Sequence, residues 1–339
     1  MPKKQAPIAF KDVLDALVSK GKTFPPRFLY ELSGLDGKKL KDIRRIWPDI
    51  PLERRRTMLE DLETLGEDDP LLSFEEIGKL AMTDPDGQVR ATGIRLLWEV
   101  EDVQLVPVLI NILSSDPEEH VRATAATALG KFVYLGEMEE IARPVAIKVE
   151  DTLLDVLHGS EPTLIRRRAL ESLGFSSRPE LEALINKAYT DKDQDWRVSA
   201  LFAMSRTADE KWNPLIMRAL DDENDAIQFE AVRAAGELTI PEARLPLLRL
   251  VDETTDEDLQ AAAIWSLSQI GGQDVREKIT ALLEDSEEDE DVEFLENALE
   301  NLDFTEQVVM PGMIELDDLD LSNFADDADD DEDLRHKLN

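Results

Sequence analysis

The chain has no cysteine, which excludes disulfides, thiolate nucleophiles and cysteine-ligated zinc. Its three histidines, His120, His158 and His336, stand far apart, and no neighbouring residues supply metal-ligand spacing. His120 and His158 are read as loop residues. Aromatic residues make up only 6%, so leucine and alanine must do most of the packing. No segment reaches the ~18 apolar residues of a membrane span. No apolar run of signal-peptide length follows the opening Met-Pro-Lys-Lys. A soluble, cytoplasmic protein with no membrane partner is expected. Gly-x-Gly-x-x-Gly, a Gly-Lys-Ser/Thr phosphate loop and His-Glu-x-x-His are all missing. Asp191, Asp193 and Asp195 have the spacing of a calcium loop, yet Trp196 stands where its glycine is needed and Phe202 where its closing glutamate is needed. With 75 acids, no carboxylate pair distinguishes itself as general acid and base. No catalytic, cofactor-binding or metal-binding residue is expected, and no cofactor.

What the chain does have is a repeat. Taking Val89, Val121, Ile165, Trp196, Ile227 and Leu259 as anchors gives intervals of 32, 44, 31, 31 and 32 residues. Four residues on stand Gly93, Ala125, Ala169, Ala200, Ala231 and Ala263, small in every case. Position seven is small in five of six units, and position eight is mostly large and apolar, with Leu97, Leu129, Leu173, Met204 and Leu267. Positions zero, four, seven and eight share one face of a helix, so this face is buried. Small residues in its middle admit a second helix closely, and large ones at its end fill the remaining gap. A degenerate seventh unit is expected to start at Phe294. Such units cannot stand alone and must stack.

Charge repeats as well. Arg90, Arg122, Arg166 and Arg197 directly follow their anchors, and Asp84, Asp116 and Asp191 precede theirs by five residues. An arginine in the first turn opposes the helix macrodipole, so an acid must offset it. A structural Asp–Arg ladder along the stack is expected. After Arg197 the arginine position lapses to Gln228 and Gln260.

The stretch Asp-Pro-Glu-Glu-His-Val-Arg-Ala-Thr-Ala-Ala-Thr-Ala-Leu-Gly at 116–130 resembles the HEAT repeat in the form found in phycocyanobilin lyase subunits. The resemblance covers roughly residues 71–304. It implies an all-α fold, an α-α superhelix of the HEAT or armadillo-like solenoid kind, with second helices lining a concave side. It says little about function, since such repeats serve many roles. The 44-residue interval departs from the pattern, with an insert at 137–149 that could be a kink, a longer helix or a binding protrusion.

Charge also divides the chain. Residues 1–58 hold fourteen Lys/Arg against seven Asp/Glu, a net of +7, so the remainder carries −44 of the total −37. Residues 1–70 are therefore read as a basic helical N-terminal cap, with an apolar stripe of Leu52, Met58, Leu59, Leu62 and Leu65 and a solvated arginine run at 54–56. Residues 71–304 form about seven hairpins, and 305–339 an acidic tail expected to be disordered. The tail holds an alternating acidic and apolar segment at 313–324.

If positions zero, four, five, seven and eight are buried, positions two and six are the exposed edge of each second helix. There the later units place Val198, Phe202, Phe229, Arg233 and Trp265, residue types that dominate binding energy at interfaces. These five are the candidate partner-binding residues. The leading functional reading is a non-enzymatic scaffold or adaptor that holds a protein partner with a basic surface. Nucleic acid is not expected on the repeats, because a −44 body lacks the cations that release counterions. Two alternatives stay open: a chromophore- or cofactor-handling enzyme subunit resembling the bilin lyases, and an acidic chaperone or nucleic-acid mimic for basic proteins. Oligomeric state and the partner's identity are not legible.

Overall fold

The computed structural model describes residues 8–309, and the acidic run at 326–333 and the segment at 313–324 lie outside them. Among the described residues there is no strand, and no helix is long and apolar enough to cross a membrane. The chain divides into two compact units, Met1–Leu238 and Thr239–Asn339.

The first unit opens with α1 (Phe10–Val18), α2 (Gly37–Ile46) and α3 (Leu52–Asp68), joined by 3-10 turns at Pro26–Leu32 and Trp47–Asp49. Five hairpins follow. They are α4 (Glu75–Ala81) with α5 (Gly87–Arg95), α6 (Leu105–Ser115) with α7 (Glu119–Glu137), α8 (Arg143–His158) with α9 (Thr163–Leu173), α10 (Leu181–Tyr189) with α11 (Gln194–Arg206), and α12 (Asn213–Ala219) with α13 (Asp225–Glu237). In the second unit, α14 (Arg244–Glu253) pairs with α15 (Glu257–Ile270), and α16 (Gln273–Asp285) with α17 (Asp289–Val309). Within the first unit each second helix packs on the next, α5 on α7, α7 on α9, α9 on α11 and α11 on α13, as stacked HEAT-type hairpins do.

Every residue at positions four, five and eight of the six second helices is buried. Close approach is what the small residues provide. A Cβ added at Gly93 would lie 2.7 Å from the Ala81 Cβ, and one at Gly130 would lie 3.2 Å from the Ser172 Cα. The anchors are buried except Trp196, which is half-buried. In the second helix of the degenerate last repeat the buried residues are Leu295, Ala298 and Leu302 among those described, and Phe294 is only half-buried.

The turns before five of the six anchored second helices share a repeating hydrogen-bond plan. The residue five before the anchor accepts from the backbone N–H two residues on: Asp84 from Asp86, Asp116 from Glu118, Asp191 from Asp193, Asp222 from Asn224 and Thr254 from Asp256. That second residue then caps the helix in four of these turns, where Asp86, Asn224 and Asp256 accept from the N–H groups of Val89, Ile227 and Leu259, and Asp193 accepts from that of Asp195. The carboxylates at Asp191 and Asp193 are thus engaged in local turns.

The residue after the anchor has two tasks. It first donates to a carbonyl preceding its own helix: Arg90 to Asp84 O, Arg122 to Asp116 O, Arg166 to Leu157 O, Gln228 to Leu220 O and Gln260 to Val251 O. Its second task, reaching an acid of the next hairpin, needs the longer guanidinium. Arg90 grips Asp116, Arg122 reaches Glu161 at 3.4 Å, and Arg197 meets Asp222 at 2.5 Å. Glutamine keeps the first bond and drops the second, which is why the arginine lapses without loss of the turn. The expected ladder has one missing rung. Arg166 does not pair with Asp191, because its guanidinium lies over the Trp196 ring at 5.5 Å and Asp191 faces solvent.

In the long interval α7 extends to Glu137 and α8 starts at Arg143, so the second helix of one hairpin and the first helix of the next are both lengthened, the longer-helix form of the insert. One expectation is corrected: the arginine run at 54–56 is not a solvated face. Arg54 donates to Ala16 O and Ser19 O, Arg55 is buried beside Asp84 at 3.2 Å, and Arg56 grips Asp86 through two bonds. Trp47 adds an indole N–H to Asp84 at 2.7 Å. These contacts extend the acid–arginine plan one step, from α3 to the first repeat. Met58, Leu59 and Leu62 join Val13, Leu17 and Ile43 in the core beneath.

Candidate functional site

The second helices of the first unit carry a continuous stack of rings and guanidinium groups. Tyr134 on α7, 44% exposed, meets Phe175 edge to face at 5.4 Å between centroids. Phe175 follows α9. The Arg206 guanidinium at the end of α11 lies 4.6 Å from the Phe175 ring centre and 4.1 Å from that of Phe202. Arg233 on α13 lies 5.8 Å from Phe202. Cation–π contacts of this kind strengthen where water is displaced. Burial is the largest influence on the Arg206 guanidinium and pushes it down to about 10, with the Glu171 and Glu237 carboxylates opposing.

Beneath the stack lies a buried polar layer. Glu171 accepts from Ser199 Oγ at 2.6 Å and from Arg168 at 2.6 Å, and its backbone carbonyl accepts from Arg206 at 3.0 Å. Arg167 donates to the same Ser199 hydroxyl at 2.9 Å. Glu230 is 6% exposed, with Oε2 at 3.5 Å from Arg233 and Oε1 without a hydrogen-bond partner. Its carboxyl is pushed up to about 7, foremost by burial, with Arg233 opposing and Glu237 and Glu171 reinforcing.

The five candidate residues are distributed unevenly. Phe202 and Arg233 are half-buried members of the stack, and Val198 and Phe229 are half-buried at position two of α11 and α13. Trp265 lies in the second unit on α15, 41% exposed. Positions two and six are not a uniform exposed edge: Ala91, Ala123 and Glu171 are buried. A methyl group at the joint of close-packed helices is covered by the helices themselves, and the Glu171 carboxylate is drawn in by its two donors, Ser199 and Arg168. Tyr134, Phe175 and Arg206 were missed by the sequence reading. The signal for Arg206 was its place one turn beyond Phe202, at a position ten that Phe175 also occupies.

Stacked two-helix units, alanine-lined joints and capped acidic turns define a helical repeat protein. The model of HEAT repeats matches residues 74–147, 181–266 and 212–300, more than half of the chain, which therefore belongs to the HEAT-repeat family as an all-α solenoid. Similar solved structures include the YibA protein of Escherichia coli, 18% identical over 84% of this chain and 99% of that one, with a TM-score of 0.41. Human deoxyhypusine hydroxylase in complex with glycerol is 18% identical over 77% and 95%, with a TM-score of 0.34. The complex of CpcE and CpcF of phycocyanin lyase from Nostoc sp. PCC7120 is 17% identical over 85% and 97%, with a TM-score of 0.39. No curated protein matches the sequence.

Proposed function

We propose that this protein is a non-enzymatic interaction scaffold that holds a protein partner on the second-helix face of its first unit. The observation that carries the reading is the stack of Tyr134, Phe175, Arg206, Phe202 and Arg233, exposed at Tyr134 and half-buried along the rest. Tyrosine and arginine at the centre of a contact surface contribute most of its binding energy. Side chains already ordered against one another lose less rotamer freedom when a partner arrives. The stack supplies short-range contacts, while the −37 net charge draws a basic partner toward the surface at longer range. Screening over ~8 Å at physiological salt confines that attraction to close approach.

The test compares proteins retained by the intact chain with those retained by a Phe202→Ala, Arg233→Ala variant, quantified by mass spectrometry. A partner that engages the stack is depleted about tenfold or more in the variant. Equal retention of every bound protein by a variant whose helical circular dichroism is unchanged would discard this face as the binding surface.

A further inference from the structure

A second feature of the first unit lies apart from the stack. A groove of about 750 Å³ opens between the end of α3, the loop leading into α4, the end of α5 and the facing side of α7. Its floor and sides are apolar, formed by Leu72, Phe74, Leu96, Trp98 and Val100. Trp98 is 48% exposed. A half-exposed tryptophan in an apolar groove is an anchor surface, since its large ring loses water when covered.

The rim is acidic. Glu63, Glu67, Glu75 and Glu99 line the groove, against one cation, Arg95. Arg95 is already occupied, because Glu63 holds it through two bonds at 2.5 and 2.7 Å. Glu75 is held by Lys79 at 2.5 Å. Glu67 and Glu99 are exposed and make no ion pair among the described residues. The groove therefore offers apolar area flanked by two exposed carboxylates that no ion pair holds among the described residues.

We infer that the Trp98 groove binds a segment of a protein partner in which one apolar side chain is flanked by lysine or arginine. The apolar side chain covers Trp98 and Leu96, and the flanking cations meet Glu67 and Glu99. Charge complementarity selects this occupant. The chain's own alternating segment at 313–324 carries the same sign as the rim and is rejected by it.

A strongly acidic chain attracts any basic peptide, so the test must separate anchored binding from that background. The probe is fluorescein-labelled Gly-Lys-Arg-Leu-Lys-Arg-Gly, read by anisotropy at two salt concentrations. Two companion probes replace Leu by Ser, or all cations by Glu. The intact chain is expected to bind the Leu probe about tenfold tighter than the Ser probe and to ignore the Glu probe. Trp98→Ala removes the preference for Leu over Ser. Glu67→Gln, Glu99→Gln weakens both basic probes and flattens their salt dependence. Thr127→Arg, which places a cation on the groove wall, gives an independent variant if Trp98→Ala does not fold. Phe202→Ala, Arg233→Ala leaves probe binding unchanged, so failure of the stack and failure of the groove are distinguishable. Equal affinity for the Leu and Ser probes, or unaltered preference in both groove variants, overturns the proposal. Tighter probe binding after deletion of residues 1–7 would identify the chain's own basic start as the occupant and overturn the assignment to a partner.

Discussion

Arg90 on α5 clasps Asp116, in the turn before α7, through two parallel bonds: Nε to Oδ2 at 2.7 Å and Nη2 to Oδ1 at 2.8 Å. Both side chains are nine-tenths buried, and Asp116 Oδ1 also accepts the Glu118 N–H. Asp116→Ala would strand a buried guanidinium and is expected to cost about 3–5 kcal/mol. Arg90→Gln should keep the turn-carbonyl bond, as Gln228 and Gln260 do, but it leaves the buried Asp116 carboxylate without its cation and is expected to cost a similar amount. Urea denaturation of both variants is the measurement. A loss at Asp116→Ala no larger than that of an exposed substitution would mean the rung contributes nothing.

Asp116 also predicts an acid limb. Burial, the largest influence, pushes its carboxyl up, but the Arg90 bond, the Glu118 N–H and the Arg90 charge together hold it below the usual range. A depressed carboxyl stabilises the fold above its unfolded value, and that contribution is lost as pH falls through the folded value. Asp116→Asn should therefore be less stable than the intact chain at neutral pH and lose less of its stability on acidification below about pH 4. Parallel losses in both proteins between pH 5 and pH 2 would argue against it.

The repeat, its buried face and its small-residue joints were legible because alanine and leucine at fixed offsets report packing directly. The ladder was only half legible. The arginines and aspartates could be paired by spacing, yet Arg166 chose the Trp196 ring, a choice that depends on a neighbour in the next hairpin. The arginines at 54–56 look solvated in sequence, because a polar run gives no sign of the carbonyls and carboxylates folded against it. Phe202 and Arg233 were visible through their offset. Tyr134, Phe175 and Arg206 were not, because they come from the ends of different helices and meet only once those helices are stacked.

The joint between α7 and α9 leaves no room. At Gly130 a Cβ would lie 2.9 Å from the Ser172 Oγ, and that hydroxyl is fixed by its bond to Ala126 O at 2.9 Å. Gly130→Ala should destabilise by about 1–3 kcal/mol despite alanine's better helix propensity. Ala231→Leu should cost a similar amount at the fully buried α11–α13 joint. Thermal melts decide this. A stabilised Gly130→Ala variant would show that the two helices can separate at little cost.

The N-terminal helices should be fastened to the first repeat by Arg55. Its partner Asp84 has no exposed side-chain surface and holds only Arg55, the Trp47 indole and its own turn N–H. Arg55→Ala removes the only ion pair that this buried carboxylate makes among the described residues, at an expected cost of about 3–5 kcal/mol. Trp47→Phe removes one hydrogen bond to a charged group and should cost about 1.5–3 kcal/mol. Limited proteolysis locates the effect: cleavage should begin within residues 19–52 in Arg55→Ala, and an unchanged pattern would contradict this role for Arg55.

Glu230 has the opposite pH behaviour to Asp116. Its carboxyl is raised from 4.5 to about 7, mainly because burial penalises the charged form, with Arg233 and Arg206 opposing and Glu237 and Glu171 reinforcing. Between those values the native chain binds a proton that the unfolded chain has released, so stability falls as pH rises through this window. Glu230→Gln keeps the shape and removes the titration. The variant is expected to be more stable than the intact chain at pH 8, by about 1–3 kcal/mol, with the difference shrinking toward pH 5. Because Arg233 reaches toward Glu230 and also stacks on Phe202, deprotonation should tighten its hold on the carboxylate and draw it from the ring. Stability curves of the two proteins that run parallel from pH 5 to pH 8 would show that Glu230 is ionised throughout and that Arg233 already satisfies it.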